Sequence, residues 1–447
     1  MIYTAKEIAD ITNGVLIGEN IDVSGVSTDT RTIEKGDLFI AIKGERFDGN
    51  DYIKQAADNG AAAAVCELKP GTVKVQIPVI YVNDSRYAQL ALAKNYRESF
   101  KVRICGVTGS VGKTSTKDMI YAVLSSKFRT LKTEGNLNND IGLPKTLFRL
   151  NDSYETAVIE MGMSDRGEIS ALSVTSHPNC AVITNIGYCH IENLKTRENI
   201  LAAKMEILDG ADKDAPLIIC GDDKYLKTIA DKQSGRKVIR YGFDGSNDVR
   251  ADSIVHCGDS EKFMLRFEGK DYSAQVPAVG EHQILNALAA FCVGIEYGMK
   301  PEEIVEAFSR YEPSGMRQKI EKRGDVTVIL DCYNASPASM RSALSVLNTM
   351  NGRKIAVLGD MLELGEMSRE LHKGIANYAI ADEFFLYGHE MKALFNEFLK
   401  RGVPVIHSEN KEELTRILIN NIKSGDVILF KGSRGMKMEE IADAIVR

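Results

Sequence analysis

A glycine-rich segment around residue 110 constrains the fold of this chain more than any other feature. It begins at Gly106 and reads Gly-Val-Thr-Gly-Ser-Val-Gly-Lys-Thr-Ser. An apolar run from Val102 predicts a buried strand that leads into it, and a helical pattern begins at Thr114. Such a strand, loop and helix can direct backbone N–H groups and the helix dipole at a bound phosphate. The sequence therefore predicts an α/β domain that binds a nucleotide.

Two side chains of this loop have expected roles on a nucleotide. Lys113 would place its charge on the β- and γ-phosphates, and the Thr114 hydroxyl would bind magnesium. Val107 occupies the first glycine position of the strict GxxxxGK[ST] pattern, so Gly109 makes the loop a TGxxGKT variant. A purely structural glycine turn is the alternative, and the Gly-Lys-Thr triplet at a helix start disfavours it. The predicted nucleotide-binding residues of the loop are Thr108, Gly109, Ser110, Val111, Gly112, Lys113, Thr114 and Ser115.

The length of the chain predicts three domains. At about 150 residues per domain, 447 residues exceed one hydrophobic core. Short apolar runs alternate with helical patterns along the whole chain, and linker residues cluster at Tyr311-Glu-Pro-Ser-Gly. We predict an α/β fold with a small α/β domain at 1–98, a central ATPase-like domain with a mostly parallel sheet at 99–312, and a Rossmann-like domain at 313–447.

The composition bears on partners and location. The 62 acidic and 56 basic residues give a net charge of -6, so we expect no nucleic-acid partner. The chain has no apolar run of about 18 residues and no signal-peptide pattern at its start, so we expect no membrane insertion and a cytoplasmic location. Its eight cysteines include no CxxC pair and are expected to be reduced. Small molecules are therefore the expected partners.

Several further motifs occur in a fixed order along the chain. Together with TGxxGKT, this series resembles the Mur ligase family, in particular its D-alanyl-D-alanine-adding branch. The motifs begin at Glu134 (Glu-Gly-Asn-Leu-Asn-Asn), Thr184 (Thr-Asn-Ile-Gly-Tyr-Cys-His), Gly280 (Gly-Glu-His-Gln-Ile-Leu-Asn), Asp331 (Asp-Cys-Tyr-Asn-Ala-Ser-Pro) and Val357 (Val-Leu-Gly-Asp-Met-Leu-Glu).

The resemblance implies an activity and its substrates. It implies an ATP-dependent ligase of peptidoglycan synthesis that joins D-alanyl-D-alanine to UDP-N-acetylmuramoyl-tripeptide. ATP would convert the tripeptide carboxylate into an acyl phosphate, which the dipeptide amine then attacks. A Mur-type ligase for a single amino acid is one alternative, and a nucleotide-dependent switch is another.

The resemblance also implies metal ligands and catalytic residues. Thr114 and Glu160 would bind one magnesium ion, and His190 a second. Lys204 would be carbamylated and share the second ion. Without the resemblance, Glu160 and His190 read as loop or packing residues, and Lys204 reads as a solvent-facing helical lysine. The implied catalytic residues are Lys113, His190 and Lys204.

The remaining implied contacts concern the nucleotide and the precursor. Read without the resemblance, these positions are helix caps, surface ion pairs and turn residues. The implied nucleotide contacts outside the loop are Asn286, Arg317 and Asp331. The implied precursor contacts are Ser27, Thr28, Arg31 and Arg46 in the first domain and Asn138 and Asn139 in the second. The segment Lys431-Gly-Ser-Arg-Gly-Met would lie near the incoming dipeptide.

Overall fold

The computed structural model describes residues 3–44, 46–229 and 235–445. Three large sheets follow one another along the chain, and helices cover each of them. This arrangement confirms the predicted α/β fold with three domains. The predicted bounds at 98/99 and 312/313 stay predictions. No helix in these ranges is long and apolar enough to cross a membrane.

The first domain is built on a five-stranded sheet with one antiparallel edge. Its strands lie in the order Val15–Ile17, Val79–Tyr81, Ala63–Cys66, Asp37–Ile40 and Gly25–Ser27, and all pairs except the first are parallel. A two-stranded sheet, Tyr3–Thr4 with Asp22–Val23, lies beside it. The helices are Ala5–Ile11, Ile53–Asp58 and Ser85–Glu98, with 3-10 turns at Thr30–Thr32 and Gly49–Tyr52.

The middle domain has a nine-stranded sheet. From one edge the strands are Thr130–Lys132, Thr156–Glu160, Arg103–Thr108, Cys180–Ile183, Leu217–Cys220, Val238–Gly242, Val249–Cys257, Ser260–Phe267 and Lys270–Val276. Only the last two strands run antiparallel to their neighbours, and our sequence reading did not predict this hairpin extension. The α-helices are Lys113–Leu124, Gly142–Leu147, Glu168–Ser176, Ile191–Leu194, Arg197–Met205, Glu281–Glu296 and Pro301–Ala307.

The third domain has a six-stranded sheet of Rossmann type. Its order is Lys319–Arg323, Val326–Asp331, Val427–Lys431, Lys354–Gly359, Glu383–Tyr387 and Val405–Ser408, and only the first pair is antiparallel. The α-helices are Pro337–Thr349, Ser368–Gly374, Lys392–Arg401, Lys411–Asn421 and Glu439–Asp443.

Close packing in the middle domain holds the phosphate-loop helix in place. Helix Glu281–Glu296 lies against helix Lys113–Leu124 and is almost wholly buried. A Cβ added at Gly294 would lie 3.2 Å from Val123 Cγ1 and 2.7 Å from Ile304 Cδ1 of helix Pro301–Ala307. Glycine at this position therefore allows the helices to pack closely. Interiors of this density transmit small changes in side-chain volume.

A buried arginine joins the first and middle domains. Arg97, near the end of helix Ser85–Glu98, donates from Nε to the carbonyl of Ser176 (2.8 Å) and from Nη2 to that of Val102 (3.1 Å). Burial lowers the pKa of Arg97, although the guanidinium remains charged because its ordinary pKa is above 12. The helix that closes the first domain is thereby fixed to the second.

Candidate active site

A cleft lies between the middle and third domains. It encloses about 390 Å³, and its walls include the phosphate loop, Glu160 and residues at the end of strand Val326–Asp331 in the third domain and just after it. Glu160 and Thr108 end two neighbouring parallel strands, Thr156–Glu160 and Arg103–Thr108. After strand Arg103–Thr108 the chain continues to strand Thr130–Lys132, whereas after Thr156–Glu160 it continues in the opposite direction along the sheet, to Cys180–Ile183. Open α/β sheets bind ligands at the carboxyl ends of two neighbouring strands that the chain leaves in opposite directions.

The backbone of the phosphate loop requires glycine at two positions. Gly109 has φ +152°, and a Cβ there would lie 1.8 Å from Thr184 Oγ1. Gly112 has φ +85° and precedes the first residue of helix Lys113–Leu124. Because the first turn of a helix leaves N–H groups without intrahelical acceptors, this end of the loop can bind a phosphate.

The motif that begins at Thr184 braces this loop, a role that the sequence did not reveal. The Asn185 amide donates to Val111 O (2.8 Å) and accepts from Val111 N (3.0 Å), as a neighbouring strand would. The Thr184 hydroxyl donates to the same carbonyl, and Gly187 N donates to Ser110 Oγ (2.8 Å). Ser110 N also donates to Asn185 O (3.0 Å). The N–H groups of Ser110 and Val111 are therefore already engaged in the protein.

The predicted loop residues divide into two groups. The residues from Ser110 to Ser115 line the cleft, whereas Thr108 and Gly109 do not. The hydroxyl of Thr108 donates to the carbonyl of Met161 (2.8 Å) inside the protein. The ammonium of Lys113 folds back over the loop and donates to Gly109 O (2.8 Å). Its charge is thus already held over the loop.

Three side chains meet at the end of strand Thr156–Glu160. The Glu160 carboxylate is 2% exposed and accepts hydrogen bonds from Thr114 Oγ1 (2.8 Å) and Asn138 Nδ2 (2.7 Å). The structure thus brings together three of the residues predicted from the sequence. A hydroxyl and a carboxylate beside a phosphate site are oxygen donors of the kind that magnesium prefers. Thr114 and Glu160 therefore fit a magnesium ion.

His190 contacts the third domain and not Glu160. Its Nδ1 lies 2.8 Å from Glu363 Oε2, and both residues have positive φ, +60° and +65°. The hydrogen bond from His190 lowers the pKa of the Glu363 carboxylate. Across residues 3–44, 46–229 and 235–445, the structure contains no cluster of three His, Cys, Asp or Glu side chains arranged to bind a metal. A second ion would thus need further ligands.

Lys204 is buried, so the interpretation of this residue as a solvent-facing helical lysine is wrong. It is 1% exposed and lies in helix Arg197–Met205. Burial is the main cause that lowers the pKa of Lys204 well below its usual value, and the nearby Lys113 ammonium adds to it. A buried lysine with a lowered pKa favours the neutral amine. That form is a nucleophile.

Asn286 lies beneath the phosphate loop and outside the cleft lining. Its Oδ1 accepts from Thr116 Oγ1 (2.7 Å), and its Nδ2 donates to Gln283 Oε1 (3.0 Å). Gln283 and His282 line the cleft, and both contact Gln318 Oε1 of the third domain at 2.8 Å. The sequence indicated His282 and Asn286 as a pair one helical turn apart near the adenine, but it predicted neither the contact of His282 with Gln318 nor any role of Gln283.

Arg317 and Asp331, for which the resemblance implies nucleotide contacts, line the cleft from the third domain. The Arg317 guanidinium carbon lies 3.7 Å from the centroid of the Tyr333 ring. The Asp331 carboxylate contacts Lys431, whose Nζ is 2.6 Å from Asp331 Oδ2 and also donates to Asn334 O (3.0 Å). Lys431 is 1% exposed, so the cation of this pair is buried behind the wall of the cleft, whereas Asp331 is partly exposed.

The predicted precursor residues of the first domain lie at one edge of its sheet. Ser27 and Ile40 end two adjacent parallel strands, and Arg46 lies in the exposed segment after the second. Ser27 Oγ donates to Asp29 O (2.9 Å), and Arg31 forms an exposed ion pair with Asp29 (2.6 Å). Thr28 follows Ser27 at this edge.

Arg86 connects this edge to the middle domain. Its Nη1 lies 2.7 Å from Asp140 Oδ2, and its Nη2 donates to the carbonyl of Lys43 (3.4 Å). Asp140 follows Asn138 and Asn139, which line the cleft. Arg86 therefore links the segment after strand Asp37–Ile40 to the loop whose residues Asn138 and Asn139 line the cleft.

A smaller cavity of about 200 Å³ adjoins the cleft on the third-domain side. Cys189, Tyr333 and the residues from Asn334 to Ser336 line both spaces. The walls of this cavity include the acidic side chain of Glu363 and the basic side chain of Arg434. Arg434 belongs to the segment that we predicted to lie near the dipeptide.

Comparisons with known proteins agree with this geometry. Family models match in three consecutive stretches: Mur ligase family, catalytic domain, at 22–97; Mur ligase middle domain at 107–294; and Mur ligase, glutamate ligase domain, at 316–434. A Bacillus subtilis (strain 168) protein named UDP-N-acetylmuramoyl-tripeptide--D-alanyl-D-alanine ligase is 38% identical, with 99% of this chain and 98% of the relative covered. The Escherichia coli (strain K12) protein of the same name is 34% identical over 99% and 98%.

Solved structures give the same result. The crystal structure I of MurF from Acinetobacter baumannii matches with a TM-score of 0.93 at 31% identity and covers 100% of this chain and 99% of that one. MurF ligase from Thermotoga maritima in complex with ADP matches with a TM-score of 0.85 at 29% identity, over 95% and 97%. The family that the sequence motifs indicated is confirmed, and the chain belongs to the Mur ligase family.

Proposed function

We propose that this ligase joins the amine of D-alanyl-D-alanine to the terminal carboxylate of UDP-N-acetylmuramoyl-tripeptide and converts ATP to ADP and phosphate. The product would be a precursor of peptidoglycan. The relatives that carry this name match over nearly their whole length. A cytoplasmic location, where ATP is plentiful, stays a prediction.

One observation carries the proposal: the phosphate loop of the middle domain lines one side of the cleft, and polar residues of the third domain line the other. Lys113 and Thr114 line the first wall, and Asp331 and Arg317 line the second. A reaction that joins two substrates and consumes ATP requires all three molecules to be bound next to one another in one site. A cleft between two domains supplies that place.

The reaction proceeds in two bond exchanges. An oxygen of the tripeptide carboxylate attacks the γ-phosphorus of ATP, and ADP leaves with the bond electrons. The unprotonated dipeptide amine then attacks the acyl carbon, and the resulting tetrahedral species expels phosphate and loses a proton. Lys113 would release the loop carbonyls and place its ammonium on the transferred phosphoryl group. The N–H groups of the first helical turn would bind the remaining phosphate oxygens.

Thr114 and Glu160 would hold a magnesium ion beside these phosphates. A bound magnesium ion would neutralise phosphate charge and orient the γ-phosphoryl group. The hydrogen bond that now joins the two side chains holds them on the same side of the cleft. Asn138 fixes the second oxygen of the carboxylate, which leaves Glu160 little freedom to turn away.

Lys204 is proposed to be carbamylated. Its neutral amine would attack carbon dioxide and lose a proton, which leaves a carbamate with two oxygens and one negative charge. Burial favours the neutral amine that this step needs. The carbamate and His190 would bind a second magnesium ion, and His190 would use Nε2 because its Nδ1 faces Glu363.

The two other substrates would approach from opposite sides. The UDP end of the precursor would bind at the first-domain edge through Ser27, Thr28, Arg31 and Arg46, and its peptide would pass Asn138 and Asn139. The contacts of Arg86 with Asp140 and with the carbonyl of Lys43 support this path. The smaller cavity would take the dipeptide, with its carboxylate on Arg434 and its amino end toward Glu363. Both groups belong to the third domain.

The adenosine part of ATP would lie near helix Glu281–Glu296 and the domain linker. His282 and Gln283 line the cleft there, and Asn286 lies one helical turn further on. Arg317 and Asp331 would approach the nucleotide from the third domain. Gln318 bridges the domains at this point, so nucleotide binding and the domain arrangement would depend on each other.

The requirement for both acceptor and donor tests the proposal. Release of ADP and phosphate should be negligible with ATP alone or with one small substrate, and rapid when tripeptide precursor and D-alanyl-D-alanine are both present. A single amino acid that replaces the dipeptide equally well would favour another Mur-type ligase. Hydrolysis that is as fast without either substrate would reject the proposal.

A further inference from the structure

We infer that Thr133 and Lys117 are positioning residues that hold Glu160 toward the phosphate loop. The inference rests on the proposed role of Glu160 as a magnesium ligand. Neither residue lines the cleft, and both are buried. They would act on the reaction only through the position of Glu160.

The edge of the middle sheet shows why Glu160 needs this support. Strand Thr130–Lys132 pairs with residues 156–158 and then ends, two residues before Glu160. Thr133 continues the pairing for one step, since its N–H donates to Val158 O (3.0 Å). Its hydroxyl then accepts the hydrogen bond from Glu160 N (3.0 Å). The Thr133 hydroxyl thus takes the place of the backbone carbonyl that would accept this hydrogen bond if strand Thr130–Lys132 were longer.

Lys117 fixes Thr133 from the phosphate-loop helix. Its Nζ donates to the carbonyl of Thr133 (2.9 Å) and lies 3.1 Å from Asp118 Oδ1. A buried ammonium needs such partners, because an unpaired charge in the interior is costly. The side chain therefore spans from helix Lys113–Leu124 to the residue that holds Glu160.

The same helix also carries Thr114, whose hydroxyl contacts the other end of Glu160. Glu160 is consequently held at its N–H through Thr133 and at its carboxylate through Thr114, and both attachments lead back to one helix. Partners of this indirect kind fix the orientation of metal ligands, and their loss typically costs about 10–100-fold in metal affinity.

Lys132 is a matched control for Lys117. Its Nζ lies 2.8 Å from the same Asp118 Oδ1, but in the described structure it makes no hydrogen bond to Thr133. The other oxygen of Asp118 accepts from Ser314 Oγ (2.5 Å) in the domain linker. Removal of either lysine costs Asp118 one cation, whereas only removal of Lys117 frees Thr133.

The test measures ADP binding by calorimetry, once with magnesium and once with a chelator. Thr133→Val keeps the shape of the side chain and removes the hydroxyl, and Thr133→Ser keeps the hydroxyl. The magnesium-dependent gain is the ratio of ADP affinity with magnesium to ADP affinity in chelator. We expect this ratio to be about tenfold smaller in T133V than in the wild type, and to stay within about twofold of the wild type in T133S. Affinity for ADP in chelator should be equal in all three proteins.

The lysine pair repeats the test by an independent route. We expect Lys117→Met to weaken the magnesium-dependent gain as T133V does, and Lys132→Met to leave it unchanged, with melting curves as a check on folding. Should T133V not fold, this pair decides the question alone. Equal effects of K117M and K132M would overturn the inference.

Glu160→Gln separates this inference from the proposed function. If E160Q loses the magnesium-dependent gain while T133V keeps it, the positioning role is wrong and the role of Glu160 stands. If E160Q keeps the gain as well, Glu160 does not bind the ion, and both statements are overturned.

Discussion

The Thr114 hydroxyl donates a 2.8 Å hydrogen bond to Glu160 Oε2 and so joins the phosphate-loop helix to the end of the neighbouring strand. The two residues are 46 positions apart in the sequence, and the parallel pairing of their strands brings them together. The oxygen donors expected at a nucleotide-bound magnesium ion are therefore assembled within the middle domain itself. The third domain supplies the opposite wall of the cleft, which includes Arg317 and Asp331.

Replacement of Lys113 by Met should abolish turnover and preserve the fold. The side chain is partly exposed, and in the described part of the chain its ammonium donates to carbonyls of the loop, so its removal leaves no buried carboxylate without a partner. We expect the rate to fall by about a hundredfold or more, as when a group that stabilises transition-state charge is removed. Steady-state kinetics and a melting curve measure the two effects. Near-normal turnover would reject the assignment of the loop.

Gly109→Ala should disrupt the phosphate loop, although the substitution adds only one methyl group. The added Cβ would collide with the Thr184 hydroxyl at 1.8 Å, at a backbone φ of +152°. We expect a loss of about 1–3 kcal/mol in the free energy of unfolding, together with weaker ATP binding. Gly374→Ala is the control, because nothing lies within 4 Å of its Cβ and its φ is −61°. Similar losses in both variants would contradict the role of the loop.

Activity should depend on carbon dioxide through Lys204. Bicarbonate should raise turnover of the wild-type enzyme, and Lys204→Ala should lose most activity and recover part of it with short carboxylic acids that fill the vacated space. The exposed Lys213 supplies the control variant Lys213→Ala, which should behave as wild type. Full activity of K204A would defeat the carbamate proposal. A wild-type enzyme that does not respond to bicarbonate after removal of carbon dioxide would count against it too.

The third domain should lose stability in mild acid because of His372. This side chain is fully buried, accepts from Met361 N (2.9 Å) and contacts Ser368 O through Nδ1 (2.7 Å), so the neutral form fits both partners. Burial lowers the pKa of His372 in the folded protein. Between that pKa and the unfolded value of about 6.5, the unfolded state binds more protons, so the free energy of unfolding falls as pH falls.

Denaturation of the wild type and His372→Gln at several pH values measures this contribution. We expect the wild type to lose more stability than the variant between pH 7.5 and the onset of acid unfolding. Equal slopes for the two proteins would show that His372 does not carry the effect.

The domains and strands were largely predictable because buried parallel strands are short apolar runs between helical patterns. The runs at 326–330 and 354–358 lie within observed strands Val326–Asp331 and Lys354–Gly359. The hairpin strands Ser260–Phe267 and Lys270–Val276 alternate buried and exposed residues at one edge of the sheet, and our reading did not include them.

The site was only partly predictable, because sequence motifs indicate residue types and not their contacts. Thr114, Asn138 and Glu160 do meet, whereas Asn286 lies behind the loop and His190 faces Glu363. Pairing across domains, such as His282 with Gln318, depends on domain packing that no local pattern encodes.

Transfer of an oxygen isotope from the tripeptide tests the central claim most directly. With ¹⁸O in the terminal carboxylate, the proposed acyl phosphate passes one labelled oxygen to inorganic phosphate when the dipeptide amine attacks. Mass spectrometry should therefore find singly labelled phosphate in equal amount to ADP, and a product whose mass equals tripeptide precursor plus dipeptide less one water. Unlabelled phosphate, or a phosphorylated product without an amide bond, would contradict the account.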